Sequence, residues 1–413
     1  MQLLVKAPKD VCGQVILPAS KSISNRALVL NALAGNAMLP VNVSDCDDTN
    51  VMLQWLANRP AVVDIGAAGT AMRFSTALLA VSEGVHTITG TQRMQNRPIG
   101  VLVNALRQLG AEVQYVEKEG FPPLRIVGRG ELAGGELMLP GNVSSQYISA
   151  LLMIAPTLKK GLRLVLTDEI ISRPYINMTL AMMREFGAKA EWQSENVIEV
   201  QPGAYRQCRY VVENDWSAAS YWYEMVALAR NDDASVVLPG LFSESLQGDC
   251  RGKEVFEMLG IHTDFDGTNV KLTKTMHTAE RLDYDFVEMP DLAQTFVVTC
   301  CMMGVPFHFT GLQSLKIKET DRINALKTEL AKLGFVLEDL GDSELLWTGQ
   351  RTAMQSDASI DTYEDHRMAM AFAPAALRLG EIRINHPEVV TKSYPRYWED
   401  LQRVGFLLEK TAL

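Results

Sequence analysis

Several short polar segments of this sequence carry side chains that can bind an anion or move a proton. In LPASKSISNRALVL, Lys21, Ser22 and Arg26 open an apolar pattern with helical spacing. The unpaired N–H groups and the dipole of a helix N-terminus favour phosphates and carboxylates, and Arg26 falls near the same face as the helix start. The segment suits a phosphorylated polyol. A solvated helix end is the alternative interpretation.

Two more helix starts offer donors without charge. GNVSSQYISALLM places Ser144, Ser145 and Gln146 where a phosphate monoester can accept hydrogen bonds. The alternative here is an ordinary pair of N-cap residues. AAGTAMRF sets Gly69 and Thr70 before a helix, and a glycine at that point permits close approach of the backbone to a ligand.

Carboxylates occur in two further segments. MPDLAQTF puts Asp291 at a helix-opening turn, where it is either a cap or a general base. LKIKETDRINAL brings Lys318, Glu319 and Arg322 within one turn. A solvated run of charges is the default interpretation of such a stretch.

Another charged cluster, Asp365, His366 and Arg367, opens an otherwise apolar helix in TYEDHRMAM. VVTKSYPRYW adds Lys392, and TQRMQNRPIG adds Arg97. Arginine matches a planar carboxylate or a phosphate especially well. Taken one at a time, these residues are equally compatible with plain surface cations.

The elements that must position these residues repeat along the chain. Five amphipathic helix patterns end in a glycine, and the glycines are separated by 77, 73, 74 and 71 residues. We interpret each glycine as the end of a helix, followed by a strand. They are Gly110, Gly187, Gly260, Gly334 and Gly405.

A second set of helix starts follows the same period. Six polar or Gly/Pro turns open apolar helices, and only the first interval is short, by about 26 residues. We therefore predict six α/β units with a shortened first unit, which has lost a strand pair. The turns lie at Pro18, Gly66, Pro140, Asn214, Pro290 and Glu364.

Bulk composition narrows the classes of function. A chain of 413 residues exceeds what one hydrophobic core usually serves, so two domains are expected. The net charge of −10 argues against broad binding of nucleic acid or anionic membranes, so an anionic ligand requires a local cluster of cations. The six scattered cysteines suggest neither a zinc site nor a disulfide framework. The start, MQLLVKAPKD, has no apolar targeting segment, and a cytoplasmic location is expected.

The polar motifs, in their order, resemble those of the EPSP synthase family, the 5-enolpyruvylshikimate-3-phosphate synthases. KETDR together with DHRMAM is highly specific, and the resemblance extends from Lys21 to Lys392. The matching segments are SKSISNRA, GTAMR, RPIG, VSSQ, ISRPYI, QGD, DLAQT, KETDR, EDHRMAM and TKSYP.

This resemblance implies a fold and an activity. The fold is a two-domain inside-out α/β barrel, with three βαβαββ repeats in each domain and the active site in the cleft between them. One domain would span residues 19–213, and the other residues 1–18 plus 214–413. The family transfers the carboxyvinyl group of phosphoenolpyruvate to shikimate 3-phosphate, a step of the shikimate pathway towards chorismate, without metal or organic cofactor. We expect a monomer that acts on these small molecules.

The resemblance also implies roles for residues. Asp291 would be the general base and Glu319 the proton donor to the vinyl methylene, with Lys21 and His366 assisting. Ser144 and Ser145 would take the phosphate of shikimate 3-phosphate. The positions matching contacts to shikimate 3-phosphate are Lys21, Ser22, Arg26, Ser144, Ser145, Gln146, Ser172, Tyr175, Asp291, Ser314 and Lys318. Those matching contacts to phosphoenolpyruvate are Lys21, Gly69, Arg97, Gln146, Arg322, Arg367 and Lys392.

Three positions depart from the family pattern, and two alternatives remain open. Ala67 and Phe74 stand where the family usually has asparagine and proline, and Ser314 replaces a usual asparagine. One alternative is the sister transferase for UDP-amino sugars, which normally opens with Lys-Asn and uses a loop cysteine. This chain has Lys21 followed by serine, and no cysteine between positions 46 and 208. The other alternative is a non-catalytic relative that binds a phosphorylated metabolite.

Overall fold

The computed structural model describes residues 1–275, 277–341 and 343–411, which alternate between helices and strands. They divide into two units. The middle unit is Ala19–Glu213, and the terminal unit combines Met1–Pro18 with Asn214–Leu413. No helix among the described residues has the length and apolar character needed to cross a membrane.

The described residues contain fourteen α-helices. They are α1 (Lys21–Leu33), α2 (Asp47–Asn58), α3 (Gly69–Ala80), α4 (Gln92–Gln95), α5 (Gly100–Gln108), α6 (Ser145–Ile154), α7 (Arg173–Glu185), α8 (Trp216–Leu228), α9 (Gly252–Met258), α10 (Ala293–Met303), α11 (Arg322–Lys332), α12 (His366–Phe372), α13 (Ala376–Leu379) and α14 (Tyr397–Arg403).

Twenty strands accompany them within the same described ranges. They are β1 (Gln2–Lys6), β2 (Cys12–Gln14), β3 (Val62–Asp64), β4 (Gly84–Thr89), β5 (Glu112–Tyr115), β6 (Leu124–Gly128), β7 (Gly135–Pro140), β8 (Leu162–Thr167), β9 (Ala190–Ser194), β10 (Val197–Val200), β11 (Ser235–Pro239), β12 (Ile261–Asp266), β13 (Asn269–Lys274), β14 (Leu282–Asp285), β15 (Phe307–Thr310), β16 (Glu338–Leu340), β17 (Glu344–Trp347), β18 (Ser359–Ile360), β19 (Glu381–Asn385) and β20 (Leu407–Thr411).

The strands form five four-stranded sheets with one shared pattern. The middle unit has the orders β3-β4-β6-β5 and β7-β8-β10-β9, and the terminal unit has β12-β13-β11-β2, β14-β15-β17-β16 and β18-β19-β1-β20. Every sheet contains one parallel pair and two antiparallel pairs. The repeat predicted from the sequence is therefore confirmed as a repeated α/β unit.

Helices rather than sheets occupy the centre of each unit. All twelve residues of α3 and all seven of α12 are buried, which places these two helices in the core of their units. The strands bury one face only, as the alternating burial along β8 illustrates. Each unit thus has its sheets on the outside, which is the mixed α/β arrangement that the resemblance implies.

The glycines that end the amphipathic helices adopt the predicted conformation. Each lies one residue beyond a helix C-cap, and their φ angles fall between 83° and 101°. Residues with a side chain rarely adopt this region, so glycine is required to end these helices.

The first repeat is shortened, as predicted. After α2 ends at Asn58, the chain enters β3, which already belongs to the next sheet. Within residues 19–61, all of which are described, no strand forms, and Val41 makes an isolated parallel bridge with Val211. The helices of this repeat are kept, so the side chains on α1 retain their place in the core of the middle unit.

Candidate active site

Arg26 is the central cation of the middle unit, and four helices contribute to its surroundings. Its Nε donates to Thr179 Oγ1 at 2.7 Å and its Nη2 to Ser149 Oγ at 3.0 Å. Its Nη1 donates to the Ser22 carbonyl oxygen at 2.9 Å, one turn earlier in α1. The residue is 2% exposed. All of these acceptors are neutral.

Aromatic rings flank the same guanidinium. The Arg26 Cζ atom lies 5.3 Å from the ring centre of Phe74 and 5.9 Å from that of Tyr175. Burial lowers the pKa of Arg26 to about 10, an effect that Tyr175 partly opposes. The group therefore remains a cation at neutral pH. Within the described residues it has no carboxylate partner, so an anionic ligand would supply the missing charge.

The first turn of α1 adds the other predicted residues of this helix. Ser20 caps it by accepting a hydrogen bond from the Ile23 N–H at 3.4 Å. Lys21 begins the helix, and its Nζ lies 3.7 Å from a carboxylate oxygen of Asp48. The cap fixes the helix start, which places Lys21 and Ser22 one turn before Arg26.

Gly69 lies between two arginines at the start of α3. Its carbonyl oxygen accepts from Arg73 Nη1 at 2.8 Å. A Cβ atom at this position would lie 2.7 Å from Arg97 Nη1 and 2.8 Å from Arg73 Nη1. The next residue, Thr70, accepts from Gln146 Nε2 at 3.1 Å. The structure thus connects three predicted residues, Gly69, Arg97 and Gln146.

The predicted serines lie at helix N-termini. Ser144 caps α6 by accepting from the Gln146 N–H at 3.4 Å, so the N-cap interpretation of this serine is correct, and Ser145 begins the helix. Ser172 precedes α7 in the left-handed region, with φ of 57°, and Tyr175 follows in the first turn. The first N–H groups of a helix have no acceptor within the helix, so a helix start can donate them to an anion.

Arg322 is the central cation of the terminal unit, and it bonds to three carboxylates. Its Nε donates to Asp365 Oδ2 at 2.6 Å, its Nη1 to Asp291 Oδ1 at 3.0 Å and its Nη2 to Glu319 Oε2 at 2.8 Å. Burial alone would lower the pKa of Arg322, but the three carboxylates outweigh it and the pKa is raised. The proposed base and the proposed acid therefore share one guanidinium.

Asp291 also lies close to two further cations. Arg367 Nη2 donates to Asp291 Oδ2 at 3.1 Å, and Lys318 Nζ lies 3.4 Å from Oδ1. With Arg322, three cations surround this single carboxylate. Five of the residues named from the sequence thus form one connected network: Asp291, Lys318, Glu319, Arg322 and Arg367.

The other predicted residues of this unit lie around that network. His366 is buried, with its Nδ1 3.8 Å from Asp365 Oδ1. Lys392 Nζ donates to the Glu364 carbonyl oxygen at 2.7 Å. Ser314 lies in a short 3-10 turn, and no hydrogen bond among the described residues joins its hydroxyl to the network. In the part of the chain that the structure describes, no group of three or more His, Cys, Asp or Glu side chains is placed to hold a metal ion.

Three residues that hold Arg26 or Arg322 were given no role from the sequence. Asp365 caps α12 by accepting from the Arg367 N–H at 2.9 Å, and it also holds Arg322. Ser149 and Thr179 hold Arg26. Helical spacing could have identified this pair. Ser149 lies four residues after Ser145, and Thr179 lies four residues after Tyr175, so each shares a helix face with a residue named from the sequence.

Asp249 is a further buried carboxyl group that the sequence did not single out as a site. Ser217 donates a hydrogen bond to its Oδ2, and no partner within the described residues reaches Oδ1. Burial raises the pKa of Asp249 to about 6, although the positive charge of Arg367 opposes the shift. It is therefore a titratable group in the electrostatic field of the Arg367 and Asp291 pair.

Comparison with known families identifies the group of proteins to which these two clusters belong. The sequence profile described as EPSP synthase (3-phosphoshikimate 1-carboxyvinyltransferase) matches residues 5–58 and 54–401. The chain belongs to the EPSP synthase family. It is 60% identical over 406 residues to the 3-phosphoshikimate 1-carboxyvinyltransferase of Bacteroides fragilis strain ATCC 25285, with 98% of each chain covered.

More distant members of the EPSP synthase family match over the same extent. The 3-phosphoshikimate 1-carboxyvinyltransferase of Sulfurovum sp. is 34% identical over 431 residues, covering 98% of this chain and 99% of the relative. A solved EPSP synthase from Acinetobacter baumannii superposes with a TM-score of 0.78 at 20% identity, covering 99% of this chain and all of the other. This chain therefore has the fold of the EPSP synthases.

Proposed function

We propose that this chain transfers the carboxyvinyl group of phosphoenolpyruvate to the 5-hydroxyl of shikimate 3-phosphate and releases phosphate. The observation that carries the proposal is the network in which Asp291 and Glu319 share Arg322. It combines two carboxyl groups suited to proton transfer with guanidinium groups suited to a carboxylate substrate. The relatives named above carry the name of this activity.

The middle unit would bind shikimate 3-phosphate. Arg26 is a buried cation whose acceptors are all neutral, so an anionic group of the substrate would complete its surroundings. Helix N-termini at α1, α6 and α7 add N–H groups. The further contacts proposed for this substrate are Lys21, Ser22, Ser144, Ser145, Gln146, Ser172, Tyr175, Asp291, Ser314 and Lys318.

The cations named from the sequence would bind phosphoenolpyruvate. We assign its carboxylate to Arg322 and Arg367, and its phosphate to Arg97 and Lys392, with Lys21 and Gln146 as further donors. Gly69 contributes by its lack of a side chain, since a Cβ atom there would displace the Arg97 guanidinium.

The reaction then follows by addition and elimination. Asp291 takes the proton of the 5-hydroxyl, whose oxygen bonds to C2 of phosphoenolpyruvate, while Glu319 gives a proton to the methylene carbon. In the tetrahedral intermediate, Glu319, now a carboxylate, takes a proton back from the new methyl group, the C–O bond to phosphate breaks and the carboxyvinyl product forms. Lys21 stabilises the negative charge on the departing bridging oxygen, and His366 assists by hydrogen bonding.

Isotope labelling tests the bond that breaks. With ¹⁸O in the bridging position of phosphoenolpyruvate, C–O cleavage sends the label into inorganic phosphate. Label retained in pyruvate would instead indicate attack at phosphorus, and would contradict the proposal. Shikimate 3-phosphate and a UDP-amino sugar should be compared as acceptors, because the sister transferase would consume only the second.

The same proposal includes that the chain is a monomer, is located in the cytoplasm and needs no cofactor. The six cysteines, all within the described residues, are thiols rather than disulfides, which supports a reducing compartment. A non-catalytic relative would have no use for a base and an acid on one guanidinium. No structural observation favours that alternative.

A further inference from the structure

The ring of Phe74 provides an apolar surface for a charged group. Phe74 is fully buried in α3, and the Arg26 guanidinium lies 5.3 Å from its ring centre. A desolvated cation at this distance from an aromatic face is attracted to the ring quadrupole.

The same helix face that carries Phe74 also carries Thr70. Residues four apart lie one above the other on a helix. Thr70 accepts a hydrogen bond from Gln146 Nε2, and the preceding residue is Gly69. One helix therefore joins the ring that contacts Arg26 to the backbone proposed to approach phosphoenolpyruvate.

The hydrogen bonds of Arg26 leave part of its orientation to the ring. Its three bonds go to neutral oxygens and hold the guanidinium edge, while Phe74 and Tyr175 contact its surface. A guanidinium has five N–H donors, so two remain for a ligand. The two flanking rings limit how far the guanidinium can move, and so limit the directions in which those two donors can point.

We propose that Phe74 is a positioning residue, which holds the Arg26 guanidinium against its ring so that the remaining donors face an anionic group of the acceptor substrate. The inference rests on the proposed function, because that substrate is taken to be shikimate 3-phosphate. Phe74 itself touches no substrate and acts through Arg26.

Stepwise fluorination tests the role of the ring charge without changing its shape. Position 74 of the full chain would receive 4-fluoro-, 3,5-difluoro- and 3,4,5-trifluorophenylalanine, each of which weakens the negative ring face. Calorimetry should show the dissociation constant of shikimate 3-phosphate rising with each fluorine, by about tenfold in total, which is within the range of a desolvated cation–π contact. The KM of phosphoenolpyruvate and kcat should change less.

Phe186 is the matched control. It is also fully buried in the middle unit, but it stacks on Tyr210 with ring centres 5.6 Å apart, at the far end of α7. The same fluorinated residues at position 186 should leave the binding of shikimate 3-phosphate unchanged. The inference is overturned if the dissociation constant of shikimate 3-phosphate does not change with fluorination at position 74. It is also overturned if the constant changes equally at positions 74 and 186.

A second measurement needs no substrate. In the ligand-free chain, each fluorine at position 74 should lower the Tm, and this dependence should vanish in the Arg26→Met background. One outcome is a coupling in which the Tm depends on the fluorines only when Arg26 is present, while the wild-type chain does not bind shikimate 3-phosphate. In that case, the proposed function and the substrate part of the inference are both wrong. If the substrate binds but the coupling is absent, the inference alone is wrong.

Discussion

Arg322 Nη1 donates to Asp291 Oδ1 at 3.0 Å, so the proposed base is bound by the cation proposed to receive the carboxylate of phosphoenolpyruvate. Arg322 is 1% exposed, and its Nη2 is shared by Glu319 and Asp365. An incoming carboxylate must therefore compete with Asp291 or Glu319 for N–H donors. Binding of phosphoenolpyruvate would in this way release the base that the reaction needs.

Replacement of Asp291 by asparagine tests this assignment. Asp291→Asn keeps the shape and one acceptor oxygen but removes the basic site, so kcat should fall by about 10²- to 10⁴-fold. Shikimate 3-phosphate should still bind in calorimetry. The matched control is Asp264→Asn, an exposed position whose kcat should not change. Near-normal turnover of Asp291→Asn would remove this residue from the catalytic assignment.

Replacement of Arg26 should weaken substrate binding, whereas replacement of Asp291 should lower kcat. Arg26→Ala removes charge-assisted hydrogen bonds that are made before the reaction begins, so binding of shikimate 3-phosphate should weaken by about 10- to 100-fold. The same experiment with Arg26→Lys, which keeps the charge but loses the fork of donors, should give a smaller loss. Unchanged affinity in Arg26→Ala would refute its role as the anchor, provided that circular dichroism confirms the fold.

Gly69→Ala should act on phosphoenolpyruvate rather than on shikimate 3-phosphate. The new Cβ atom would lie 2.7 Å from Arg97 Nη1, so that guanidinium must move away. We expect the KM of phosphoenolpyruvate to rise by about tenfold, the effect of losing roughly one charge-assisted hydrogen bond. Gly203→Ala is the control, because a Cβ atom there meets nothing within 4 Å. Equal KM values in both variants would contradict the placement of Arg97.

Asp249 should give the unfolding free energy a pH dependence of defined sign. Its pKa is about 6 in the folded chain against an ordinary value of 3.8, so the folded state binds more protons between these values. The contribution of Asp249 to the free energy of unfolding is fully present below pH 3.8 and is lost as the pH rises through 6. The loss amounts to about 3 kcal/mol.

Asp249→Asn should remove that dependence. Urea titrations of the wild-type and variant chains at several pH values between 4 and 7 would measure the difference in unfolding free energy. The two curves should diverge as the pH rises, with the variant becoming relatively more stable. Parallel curves across this range would mean that Asp249 does not titrate in this window.

The sequence was sufficient for features that depend on neighbours along the chain. Glycines at positive φ end the amphipathic helices because no other residue adopts that conformation at low cost, and the period of these helices reveals the repeat. Ser144 could likewise be recognised as a cap from its position before an apolar run.

Contacts between segments that are far apart in the chain could not be predicted from the sequence. Arg26 bonds to Ser149 and Thr179, which lie 123 and 153 residues away, and Arg322 bonds to Asp365, 43 residues away. No local pattern specifies such pairs, since they depend on how the helices pack in each unit. Asp249 was missed for the same reason, because its raised pKa comes from burial.

The most direct test of the account is phosphate release by the purified, chelator-treated chain. With phosphoenolpyruvate and shikimate 3-phosphate together, phosphate should appear at a steady rate, and omission of shikimate 3-phosphate should abolish it. Release that requires added metal, or that occurs with a UDP-amino sugar in place of shikimate 3-phosphate, would contradict the proposed function.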